Sequence, residues 1–218
     1  MLRRLSLILC LMLLLATVLA ARQAARDIGN TADQQQEQRN ATGKKMLILD
    51  PTATKITFLA GTTLGDVTGH FGMESGVIRW DVKTGQASGR IVIEAVSGDT
   101  GSNWENSILQ GDVLQSVQDT RITYQPTKVT GALIREGSTT FHMDGILRLL
   151  HAEHPLHMDI TVEAAGSQLW AATHVVLPYV DWGLTAPGFW FIHADRTVSL
   201  DISTTGTVQN EAPPQPLL

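Results

Sequence analysis

Seven stretches of this chain alternate apolar and polar side chains residue by residue, a period that fits half-buried strands. They are Thr54–Ala60, Gly76–Asp81, Gly89–Ala95, Arg121–Gln125, Phe141–Leu149, Leu156–Glu163 and Thr197–Ser203. Phe141, Met143, Gly145, Leu147 and Leu149 share one face of the fifth. In the sixth, Leu156, Met158, Ile160 and Val162 lie opposite His157, Asp159, Thr161 and Glu163. Turn residues separate the runs, so consecutive strands are expected to pair as an antiparallel meander. Such a sheet loses its exposed edges most easily by closing on itself. The expectation is an all-β domain, an antiparallel β-barrel.

One stretch departs from that period. Trp104, Ile108, Leu109, Val113, Leu114 and Val117 recur at helical spacing over Trp104–Gln118, with a break expected at Gly111. Thr100 or Ser102 is placed to cap it. A short helix between strands is suited to plug one mouth of a barrel.

The flanks differ in kind. Arg3 and Arg4 precede an apolar run from Leu5 to Val18, and small residues follow at Ala20 and Ala21. That order predicts a secretory signal over residues 1–21, cleaved or retained as an anchor near a membrane. The expected location is periplasmic or secreted. Residues 22–45 are polar, Gln34-Gln35-Gln36-Glu37-Gln38-Arg39 above all, and read as a disordered linker. The barrel domain is expected over 46–209 and a proline-rich tail over 210–218. The sole cysteine, Cys10, lies in the leading apolar run, so the mature domain is expected to carry no disulfide, zinc–thiolate site or thiol nucleophile. A net charge of −5 without any basic run argues against nucleic acid as a partner.

Few residues suggest chemistry. His151, His154 and His157 crowd one segment, but Pro155 interrupts any helix that would bring ligands together. A hairpin tip containing His151 and His154 is the expectation, with His157 outward. Asp99-Thr100-Gly101 matches one half of an aspartic-protease dyad. A second such carboxylate is missing, so a turn entering the helix is expected. No catalytic residue, metal or cofactor is assigned.

What remains is apolar surface. The inward residues are expected to include Phe58, Phe71, Trp80, Ile91, Ile93, Ile122, Tyr124, Phe141, Leu147, Leu149 and Val162. Alternation does not separate a packed core from a lined cavity. Two readings therefore stay open: a carrier with an apolar lumen, or an interaction domain with a filled one. In the second, Thr185-Ala186-Pro187-Gly188-Phe189-Trp190-Phe191 would be the contact patch.

The order of motifs resembles the YceI-like family from about Ala53 to Val208. Thr54-Lys55-Ile56-Thr57-Phe58 is similar to its opening strand, and Val67-Thr68-Gly69-His70-Phe71 to its V-x-G-x-F strand. Gly89–Ala95 with Ser97-Gly98-Asp99-Thr100-Gly101 resembles its strand and T-G-N turn. Asp144-Gly145-Ile146-Leu147 and Asp159-Ile160-Thr161-Val162 resemble its central hairpin, and Pro178–Leu184 its penultimate segment. The resemblance implies a lipocalin-like barrel whose lumen accepts an apolar amphiphile, such as a polyisoprenoid or quinone. Departures lie near the mouth. Glu105-Asn106-Ser107-Ile108-Leu109 stands where the family often has R-D-x-H-L. Leu150-His151-Ala152-Glu153-His154-Pro155 stands for H-G-V-T-K-P. The implied head group is therefore open.

Overall fold

A computed structural model describes residues 43–116, 118–189 and 192–211. Strand β1 (Lys44–Leu49) and strand β2 (Lys55–Ala60) are separated by a single 3₁₀ turn over Pro51–Ala53. Proline at its first position and the Asp50 carboxylate, which accepts from the Thr52 amide at 2.9 Å, set that turn. Both strands lie along the last long strand, β12 (Val198–Asn210). β1 takes its C-terminal half, Lys45 opposite Asn210 to Leu49 opposite Gly206. β2 takes its N-terminal half, Leu59 opposite Ser199 to Lys55 opposite Ser203.

The other strands are β3 (Val67–Phe71), β4 (Met73–Asp81), β5 (Ala87–Glu94), β6 (Arg121–Thr130), β7 (Glu136–Leu149), β8 (Ala152–Ala165) and β9 (Gln168–Leu177). Antiparallel pairing runs β1-β4-β5-β6-β7-β8-β9-β12 and returns to β1, which closes an eight-stranded barrel. Closure satisfies both sides of every strand in the ring. The β2–β3 hairpin continues the wall beyond the β1–β4 pair, so the barrel is taller at that end, here called the top. β10 (Gly188–Phe189) and β11 (Ile192–His193) form a separate two-stranded ribbon.

The predicted alternation places the core as expected. Phe141, Met143, Leu147 and Leu149 of β7 are buried, as are Met158 and Val162 of β8. Two sequence expectations change. Lys44 and Lys45, read as linker, belong to β1, and Asn210, read as tail, ends β12; their backbone pairing extends the sheet past the last apolar residue. The β7–β8 hairpin tip is shorter than expected. Unbroken register from Glu136–Ala165 to Leu149–Ala152 leaves only Leu150 and His151 in the turn. Both have positive φ, 49° and 63°, as two-residue hairpin turns require.

His154 is therefore a strand residue. Parity puts it on the inner face with Leu156 and Met158, where its ring stacks on Trp182 with centroids 4.4 Å apart.

The predicted helix is real but short. α1 spans Asn103–Ile108 and is followed by one wide turn over Leu109–Val113 that contains Gly111. Ser102 is the cap, accepting from the Glu105 amide at 3.4 Å. The chain leaves the helical path at Gln115, whose φ is +44°. The segment expected to be a signal, Cys10, the expected linker through Thr42, Val117, Trp190, Phe191 and the residues from Ala212 lie outside the described residues. Among the described residues no helix is long and apolar enough to cross a membrane.

Candidate functional site

The lumen has two compartments. The upper one encloses about 1030 Å³. Phe58, Phe71, Ile93, Ile122, Leu147 and Leu149 line its walls, together with Ile56, Leu177 and Leu200. The lower one has about 150 Å³ and is lined by Trp80, Ile91, Ile93, Tyr124, Phe141, Leu147 and Val162, with Met143 and Met158. Ile93 and Leu147 face both spaces. All eleven residues proposed from the alternation thus face one compartment or the other.

Glycine shapes the upper wall. Phe58 of β2 lies against Gly69 of β3, its cross-strand partner. A β-carbon at Gly69 would sit 2.4 Å from the Phe58 ring, so only glycine lets the ring press flat against the strand. Phe71 likewise rests on Gly98 and meets Phe58 at a centroid distance of 5.3 Å. With both rings held to the wall, space remains between them and the opposite side.

Lower down, the Tyr124 ring passes over Gly145 and its hydroxyl donates to the Leu156 carbonyl at 3.3 Å. Burial, and secondarily the Asp144 charge, push this phenol well above the ordinary tyrosine value, so it stays neutral.

Sequence reasoning reached the helix and the strap but neither the β2–β3 loop nor the carboxylates of the rim. It comprises the β2–β3 loop with Thr62, Leu64 and Asp66, the α1 segment with Trp104, Glu105 and Asp112, and the strap Leu184–Pro187. Leu64 and Trp104 are exposed at 68% and 60%. Trp104 belongs to the helical spacing expected at one mouth, and Thr185, Ala186 and Pro187 to the expected contact patch, whereas Leu64 carries no signal because loop residues follow no period. Leu114, Tyr179 and Leu184 pack into a second cluster with Leu149 beneath α1 and the strap. The Tyr179 hydroxyl donates to the Asp195 carbonyl at 2.6 Å.

The suspected catalytic groups have structural partners. The Asp99 carboxylate accepts from the Asn106 side chain and the Gly101 amide, both at 2.8 Å, and these bonds hold its pKa below the ordinary value. The turn before α1 is thus tied to the helix it starts. His142, His157 and His174 point outward, and each Nδ1 meets an aspartate on the adjoining strand: Asp159 at 2.6 Å, Asp144 at 2.8 Å and Asp201 at 2.8 Å. None of these pairs reaches the lumen. Among the described residues no group of three or more His, Cys, Asp or Glu side chains is placed to hold a metal.

Against known proteins, the model of the YceI-like domain matches residues 48–206. No curated protein matches. The fold is similar to the crystal structure of BcnA from Burkholderia cenocepacia, with a TM-score of 0.59 and 14% identity over 73% of this chain and 99% of that one. It is similar to the same degree to a polyisoprenoid binding domain from Saccharophagus degradans implicated in plant cell wall breakdown. There the TM-score is 0.59 and the identity 15%, over 75% of this chain and 98% of that one.

Proposed function

Because the chain belongs to the YceI-like family, we propose that it is a non-catalytic binding protein that holds a long apolar, isoprenoid-like molecule in its barrel. The observation that carries this reading is the upper compartment: about 1030 Å³ of space within mostly apolar walls. Ligand cavities span roughly 300–1,000 Å³ and bury most of a ligand behind apolar walls with a few polar groups. A solvent-filled apolar chamber of this size would forgo the burial that stabilises the rest of the barrel. The lower compartment continues the apolar path for the end of a tail. The polyisoprenoid binding domain of similar fold supports the ligand class, and a quinone has the same tail chemistry.

Affinity would arise from burial of the tail, at roughly 25 cal/mol per Å² before association costs. The apolar run Leu5–Val18 after Arg3 and Arg4 supports work outside the cytoplasm, on the periplasmic or secreted side. A carrier there shields its cargo from water between membranes.

Native mass spectrometry of the exported protein, followed by lipid extraction, tests the reading. A stoichiometric apolar adduct is expected. Protein that is empty and also fails to take up a fluorescent isoprenoid would overturn it and favour an interaction domain.

A further inference from the structure

The rim of the upper compartment is charged, and among the described residues its charges are all of one sign. Asp66, Glu105 and Asp112 line the cavity, whereas no lysine, arginine or histidine among the described residues does. Among the described residues, none of the three carboxylates forms an ion pair. The mouth's hydroxyls are largely spent on their own chain. Thr62 Oγ1 donates to the Gly65 carbonyl at 2.6 Å, and Thr100 Oγ1 to Asn106 Oδ1 at 3.0 Å. The Gln110 amide nitrogen is shared between the Val96 and Gly98 carbonyls at 3.1 Å. His193, the basic residue of the neighbouring ribbon, is tied to Thr63 through its backbone and does not line the space.

A phosphate or carboxylate drawn to this mouth would therefore lose part of its hydration and meet carboxylates instead of a cation, with only the neutral donors of Trp104, Gln115, Gln118 and Thr185 to offset them. Like charges repel, and low-dielectric walls strengthen the repulsion.

We infer that the cavity takes an amphiphile whose head carries no negative charge, an alcohol, a carbonyl or an amine, and discriminates against the phosphorylated form of the same tail. This rests on the carrier reading above and narrows its ligand class. The seat of selection is the rim formed by Asp66, Glu105 and Asp112, while the tail is held by the apolar walls common to all such ligands.

The test uses three probes with one tail: farnesol, farnesylamine and farnesyl phosphate, each titrated against the mature protein loaded with Nile red. Farnesol and farnesylamine should displace the dye, and farnesyl phosphate should do so at roughly tenfold higher concentration at low ionic strength. Raising the salt should narrow that gap. Glu105→Lys should also narrow it, by lowering the farnesyl phosphate concentration that displaces the dye. Asp112→Lys, on the exposed rim, serves the same purpose if the first variant fails to fold. Farnesyl phosphate binding as tightly as farnesol would overturn the head-group inference and leave the carrier reading standing. Failure of all three probes on a folded protein would overturn both.

Discussion

The two ends of this lumen are made by the same alternating strands, yet one encloses about 1030 Å³ and the other about 150 Å³. At the bottom, Trp80, Tyr124, Phe141, Met143 and Met158 converge from β4, β6, β7 and β8 and leave a wholly apolar remnant. At the top, Phe58 and Phe71 are pressed against Gly69 and Gly98, and the roof is a helix and a strap rather than further strand. The comparison teaches that a barrel becomes a container or a core according to where its bulky side chains can lie. Strand number and closure are common to both ends.

The largest break in that contrast should come from Trp80→Ala. Emptying the packed end is expected to cost about 3–5 kcal/mol in a urea titration. Phe71→Ala, at the hollow end, should cost about 1–3 kcal/mol. Equal losses would mean that the upper space is as tightly packed as the lower.

Gly145→Ala comes next. Its β-carbon would lie 2.4 Å from Tyr124, and the strain should lower stability by about 1–3 kcal/mol on the same assay. Ile93→Trp, on the boundary of the two spaces, should fold and bind farnesol at least about tenfold more weakly. Unchanged binding by this folded variant would move the ligand out of the lumen.

The smallest effect concerns Tyr124 itself. Its pKa is raised by folding, so the folded state holds its proton more tightly than the unfolded chain. That contribution is complete below the ordinary tyrosine value near 10 and is lost as pH rises above it. Tyr124→Phe should cost about 1 kcal/mol at neutral pH, for the bond to Leu156, and should flatten the decline in melting temperature at alkaline pH. An unchanged alkaline slope would assign that decline to other groups.

The histidine segment shows how far period alone carries. Leu156, Met158, Ile160 and Val162 were read correctly as one inward face, and His154 has the same parity. It was nevertheless placed in the turn, because a turn of Leu150 and His151 contains none of the glycine or asparagine that usually marks positive φ. The fourteen-residue register overrode that local preference. In the helical stretch the Ser102 cap and the break near Gly111 were legible, but the exit at Gln115 was not.

By itself the sequence determined the strand pattern, the inward face and hence an all-β barrel, because side-chain direction in a strand depends only on parity. The motif order pointed to the YceI-like family as well. Only the tertiary structure decided that the inward residues divide between a filled end and a hollow one. Only it gathered Asp66 from one loop, Glu105 from a helix about forty positions away and Asp112 from the turn after that helix onto a single rim. Volume and mouth charge depend on which side chains meet across the barrel, and no period along the chain encodes that distance.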